Sequence, residues 1–126
     1  MYIDLLTKIK NAQQARKETL KVYYSNMDMA IADILVKENY IESAAKKGRV
    51  PKRVIEIKLK YKDKEGAITG VRFLSKPSRR LYAGYNDLRL IKQGYGTALI
   101  STPKGIMTYK EARRQKLGGE ILFEIW

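Results

Sequence analysis

Ile55, Ile57, Leu59 and Tyr61 alternate with Glu56, Lys58 and Lys60. Successive side chains of a strand point to opposite faces, so this segment needs a core on one side and water on the other. The residues before it can supply the cover. Leu5, Leu6, Ile9, Ala12 and Ala15 recur at helical spacing over residues 3–16, with Lys8, Lys10, Asn11 and Arg16 elsewhere on that helix. Leu20 and Val22 alternate with Thr19, Lys21 and Tyr23 as a short strand. Ser25 is a good N-cap for a helix over 26–38, with Asp28 in its positive first turn, Met27, Ile31, Ile34 and Leu35 on its apolar side, and Asn39 as a stop. Tyr40 to Ala45 reads as another strand, and Lys47-Gly48 as the turn of an irregular hairpin. Residues 1–64 thus predict an α-β-α-β-β domain, with two helices on one face of a small antiparallel sheet.

The polar stretch Lys62–Gly66 breaks the pattern, and residues 65–126 predict a second, mainly antiparallel β domain with one short helix; the class is α+β. Ala67 to Leu74 reads as a strand with a bulge at Gly70, and Ser75 to Arg80 as a loop. Leu81-Tyr82 starts a short strand, Gly84-Tyr85-Asn86 turns it, and Asp87 to Gln93 suits one or two helical turns stopped by Gly94. Thr108 and Glu111 form a T-x-x-E capping box for a helix ending at Leu117-Gly118. Ile121, Phe123 and Ile125 alternate with Leu122, Glu124 and Trp126 as the last strand.

Charge narrows the function. The 126 residues hold 26 Lys and Arg against 13 Asp and Glu, a net +13 divided almost evenly between the two halves. A body basic throughout is the footprint of a polyanion partner, and nucleic acid is favoured over a solubility surface. No segment joins a broad basic face to a strong apolar one, and no apolar run approaches the roughly 20 residues that span a bilayer, so no membrane partner is expected. Cysteine and histidine are both absent, which removes thiolate metal sites and the commonest general base and metal ligand. No signal-peptide pattern opens the chain, so a cytoplasmic protein is the expectation.

The stretch Gly94–Thr108, GYGTALISTPKGIMT, is the richest in candidate chemistry. It is not a nucleotide-binding loop: Lys104 precedes Gly105 instead of following it, and the spaced glycines precede the strand. Pro103 and Gly105 suit an ordinary turn. Ser101, Thr102 and Lys104 also suit RNA, whose phosphates, sugars and base edges are read by short polar contacts. These residues alone leave both readings open. Lys46, Lys47, Arg49, Lys52 and Arg53 form one basic cluster, and Lys76, Arg79 and Arg80 another; each suits either a solvated loop or phosphate docking. Glu120 lacks a nearby paired carboxylate, which points away from catalysis.

Taken together, STPKGIMTYKEAR followed closely by LGGEILFEIW resembles the C-terminal signature of the bacterial-type small-subunit ribosomal protein eight family. LLTKIKNAQ, MAIADILVKENYIE and LSKPSRRLY resemble further parts of that family, so the likeness runs over almost the whole chain. The resemblance implies a two-domain α+β protein that binds a helical junction in the central domain of small-subunit ribosomal RNA early in assembly. It implies neighbouring small-subunit ribosomal proteins as partners, no enzyme activity, and no cofactor or metal. Some members also bind a similar element in their own messenger RNA and repress its translation. A cytoplasmic ribosome is the expectation, and an organellar one is also compatible with the resemblance.

The family's RNA contacts fall on Ser101, Thr102, Lys104 and Gly105, on Gly118, Gly119 and Glu120, and on Lys10 and Asn11. Lys46, Lys47, Lys52, Lys76 and Arg79 are added as phosphate contacts from their charge. The chain departs from the family's pattern in three places. Pro103 stands where many members have serine, Asn26 where many have a basic residue, and Phe123 where cysteine is frequent. A DNA-binding module would need a recognition helix with a clustered basic face, and an enzyme would need nucleophile, base or nucleotide-loop chemistry; none stands out.

Overall fold

The structure, a computed structural model, describes residues 2–49, 52–62, 65–75, 78–84 and 96–126. The chain divides into two compact units, Met1–Ile68 and Thr69–Trp126. The expected boundary after residue 64 differs because Tyr61–Lys62 (β4) pairs with Glu65–Gly66 (β5) as a hairpin within the first unit. Gln13 holds the chain beyond that hairpin: its Nε2 donates to the Ile68 carbonyl at 2.7 Å, and its Oε1 accepts from the Ile68 amide at 3.2 Å.

In the first unit, helices Tyr2–Gln14 (α1) and Asn26–Lys37 (α2) accompany the strands Thr19–Tyr23 (β1), Ile41–Lys47 (β2) and Val54–Leu59 (β3). The sheet is antiparallel in the order β1-β3-β2. Ile55, Ile57 and Leu59 are buried, together with Val22 and Ile41, and so are Leu5, Leu6 and Ile9 of α1 and Ile31, Ala32 and Leu35 of α2. The alternation therefore does what its period requires. Tyr61 leaves it: the strand ends before Lys60, and the Tyr61 hydroxyl donates instead to the Lys17 carbonyl at 2.6 Å. Ser25 caps α2 by accepting from the Asp28 amide at 3.1 Å.

Both helices end by one device. Arg16 (φ 57°) and Asn39 (φ 66°) are left-handed. The next amide reaches back across the last turn, from Lys17 to the Ala12 carbonyl and from Tyr40 to the Leu35 carbonyl. This is the Schellman arrangement, which satisfies carbonyls the helix end would orphan.

The second unit is built around Gly119–Ile125 (β10). Thr97–Thr102 (β8) pairs along one side of it and carries Gly105–Thr108 (β9) outside. Val71–Phe73 (β6) and Tyr82–Ala83 (β7) pair with the other side, opposite residues 123–125 and 119–120 respectively. They form one edge strand interrupted by the loop between them. The expected strand over 67–74 is cut to 71–73, because Trp126 ends the ladder there. Its carbonyl accepts from the Thr69 and Gly70 amides, and a Cβ on Gly70 would lie 2.5 Å from the indole. Gly70 is thus a place of close approach. A register shift between Ile121 and Phe123 replaces the expected alternation, so Leu122 and Phe123 are both buried.

Tyr109–Arg114 (α3) starts at Thr108, whose hydroxyl accepts from the Glu111 amide. It ends earlier than expected, in a third Schellman turn at Lys116 (φ 58°). The expected turn at Gly84-Tyr85-Asn86 lies only partly within the described residues, and the expected helical turns over 87–93 lie outside them.

Candidate nucleic-acid interface

The hairpin β8–β9 turns through Pro103-Lys104, and Thr102 pairs with Gly105. Proline holds φ near −65°, which suits a type I or II turn whose twist opposes that of a hairpin. Gly105 takes up the mismatch at φ +115°, a conformation that strains any L side chain. Nothing lies within 4 Å of where its Cβ would be, so the backbone there is open to a ligand. Thr102 is buried and locks the turn: its hydroxyl donates to the Gly105 carbonyl at 2.7 Å and accepts from the Lys104 amide at 3.2 Å. Of the two hydroxyls, Ser101 is half-buried and Thr102 positions the loop. Lys104 is exposed at the tip.

Glu120 pairs with Ser101 on one side and with Tyr82 on the other. Antiparallel partners share a face, so Tyr82, Glu120 and Ser101 stand in a row. Tyr82 is 70% exposed. Arg80 Nη1 lies 3.5 Å from Glu120 Oε1, and the glutamate side chain is only 14% exposed against 57% for the arginine. Gly119 makes this row possible. A Cβ there would lie 2.0 Å from the Ser101 carbonyl oxygen, inside any allowed contact.

The basic loop before Tyr82 has a closed mouth. Ser75 is buried; its Oγ accepts from the Leu81 amide at 2.9 Å and donates to the Leu81 carbonyl at 3.4 Å. The Leu74 and Ser75 amides donate to the Leu122 carbonyl, and the Ile121 amide donates to the Leu81 carbonyl. Both ends of the loop are therefore fixed on β10, and Arg79 and Arg80 emerge from a rigid base.

The structure brings Ser101, Thr102, Lys104, Gly105, Gly118, Gly119, Glu120 and Arg79 into one unit, around the β8–β9 hairpin and the start of β10. Lys76 lies outside the described residues. Lys10, Asn11, Lys46, Lys47 and Lys52 belong to the first unit. There, Asn11 lines a groove of about 280 Å³ with Lys8, Ala12, Ala15, Lys17, Leu20 and Lys21, while Lys10, a helical step away, does not. Lys46 Nζ and the Arg53 guanidinium sit 5.5 and 5.6 Å from the Tyr24 ring, within cation–π range. Lys47 pairs with Glu56 at 3.0 Å and holds that carboxyl below its usual range, with Lys21 adding to the effect. Lys52 is exposed beside the turn.

Sequence reasoning passed over Tyr82, Ser75, Lys8, Lys17 and Lys21. For the lysines the signal was their helix face and strand register; for Tyr82 and Ser75 there was none, since their roles depend on pairing with β10. The second unit's row offers a hydroxyl, a carboxylate, a guanidinium, an aromatic face and open backbone. That set matches base edges, sugars and phosphates. No group of three or more metal-ligating residues occurs among the described residues.

Residues 2–126 match the model of the family described as "Ribosomal protein S8". The chain is 44% identical over 123 residues to "Small ribosomal subunit protein uS8" of Mycoplasmopsis agalactiae, covering 98% of this chain and 94% of that protein. It is 46% identical over 124 residues to the protein of the same name from Caldicellulosiruptor bescii, with the same coverage, and 42% identical over 123 residues to that from Ruminiclostridium cellulolyticum. The chain therefore belongs to the ribosomal protein family that its C-terminal signature resembles, a family of structural proteins and not of enzymes.

Proposed function

We propose that the chain is a structural constituent of the small ribosomal subunit, and that it binds a helical junction in the central domain of small-subunit ribosomal RNA through the second unit. The observation that carries this is the row Tyr82–Glu120–Ser101, beside the open backbone of Gly105 and the cations Arg80 and Lys104. A distorted helix presents unstacked base edges and 2′-hydroxyls that a regular duplex hides. Ser101 donates to or accepts from them, Glu120 accepts, and Gly105 lets a sugar approach the backbone. Arg80 neutralises Glu120 in the free protein and becomes available to a phosphate when the carboxylate is engaged by RNA.

Lys46 and Lys52 of the first unit add phosphate docking without sequence preference. Neighbouring small-subunit proteins are the expected protein partners, and the ribosome the expected location. A messenger-RNA element of similar shape would enter by the same edge. The test is a titration of the purified chain with the junction fragment and with a matched regular duplex. Binding of the junction well above the duplex supports the reading; equal affinity for both reduces the chain to a polyanion binder.

A further inference from the structure

The helices cover one face of the β1-β3-β2 sheet, and the register defines what the other face carries. Thr19, Lys58 and Ser43 form one row across it, Lys21, Glu56 and Ala45 the next, and Tyr23, Val54 and Lys47 the third. Tyr23 is 82% exposed. Thr19, Ser43 and Ala45 are small and exposed, so the part of the face beyond Lys21 and Glu56 is low, and Val54 is the ring's direct neighbour on β3. Lys21 and Lys47 stand on the two outer strands, one row apart and roughly 12 Å from each other at the backbone. Glu56, the one acid of the nine, is bonded to Lys47, and Lys58 has no ion-pair partner among the described residues. Lys21 also lines the groove of Lys8, Asn11 and Lys17, so the face and the groove form one basic track along the β1 edge. Lysines on an edge strand also discourage edge-to-edge pairing. That explains Lys21 but not a tyrosine left almost wholly in water at the corner of this basic face, one row from Lys21 and across the sheet from Lys47.

We propose that this sheet face is a second RNA site, one that takes a single-stranded segment. A base stacks on Tyr23, and the flanking phosphates lie against Lys21, Lys47 and Lys58. A stacking platform between ammonium groups is the recurring solution for single strands, because every base has a π-face and every nucleotide a phosphate. An acidic protein segment would use the lysines but has no need of the bare ring.

The proposal takes its class of ligand from the ribosomal reading above, yet its site is separate, and so is its test. A fluorescein-labelled oligouridylate of about twelve nucleotides is titrated with the full chain, alone and in the presence of saturating junction fragment. Binding in both cases, weakened about fivefold to a hundredfold by Tyr23→Ala, retained by Tyr23→Phe and unaffected by Ser101→Ala, is the expected result. Displacement of the oligouridylate by the junction fragment overturns the proposal, as does a Tyr23→Ala variant that binds it like the parent. Tyr23-dependent binding of a polyglutamate peptide in place of the oligouridylate overturns it too and makes the face a protein-docking surface. Failure of the junction fragment to bind, with Tyr23-dependent oligouridylate binding intact, sinks the reading of the second unit and leaves this one standing.

Discussion

Gly119→Ala tests how the edge is held. The new Cβ would lie 2.0 Å from the Ser101 carbonyl oxygen, 2.9 Å from its carbon and 3.2 Å from the Thr102 Cα. All three atoms are backbone in the β8–β10 ladder, so no side chain can rotate away; the strands must part by more than about 1 Å. Overpacking of this kind costs roughly 1–3 kcal/mol, and a weakened ladder hydrogen bond about 1 more. With a urea slope of about 1–3 kcal/mol per molar, a total near 3 kcal/mol moves the unfolding midpoint down by roughly 1–3 M. Ser101 moves with its strand, so affinity for the junction fragment falls at least as far as in Ser101→Ala. Gly105→Ala is the comparison: its Cβ meets nothing within 4 Å but its φ is +115°, so it costs only conformational strain, about 1–2 kcal/mol. The readouts are urea denaturation and the Ser101 amide shift by NMR. A Gly119→Ala variant with the parent's midpoint and an unmoved Ser101 amide would refute the close approach.

Ser75→Ala strands the Leu81 amide in a half-buried site, so we expect a loss of about 1–3 kcal/mol in thermal or urea unfolding and a looser Arg79–Arg80 loop by hydrogen exchange. Thr108→Ala removes the α3 cap and is expected to cost about 1 kcal/mol, measured the same way, while Thr108→Ser keeps most of it. Lys47→Met removes the partner that depresses the Glu56 carboxyl, so its titration midpoint, followed by NMR, rises toward the ordinary value of 4.5. Because the folded pKa is lowered, the pair's contribution is present above that ordinary value and lost as pH falls through the depressed one. Stability at neutral pH therefore keeps it in the parent, and it fades only on acidification below 4.5.

Much of the first unit was legible because its signals are local. Ile55, Ile57 and Leu59 announce their strand by period alone, and Ser25 and Thr108 announce helix starts because a hydroxyl there has an amide to accept from. Helix ends were harder. Asn39 tolerates a left-handed backbone and is readable; Arg16 and Lys116 do the same work with no chemical preference for it, so their helices end earlier than the sequence pattern predicts.

The bulge at Leu122, the reach of Trp126 over Gly70 and the clamp of Ser75 on Leu81 are tertiary facts. Each joins strands distant in sequence, and no local pattern encodes them. The candidate site divides the same way. Ser101, Lys104, Gly105 and Glu120 were visible as a motif, whereas Tyr82 joins them only through its pairing with Glu120.

The central claim is that the Ser101–Glu120 edge reads RNA shape while the cations around it supply charge. Ser101→Ala and Lys104→Ala, three residues apart on one hairpin, separate the two most directly when each is titrated against the junction fragment and a random duplex over a salt series. Ser101→Ala should weaken the junction by about 1–3 kcal/mol, leave the duplex unchanged and keep the salt slope. Lys104→Ala should weaken both RNAs alike and flatten the slope by about one unit. If the two variants lose the same factor on both RNAs, Ser101 to Gly105 is a turn and nothing more.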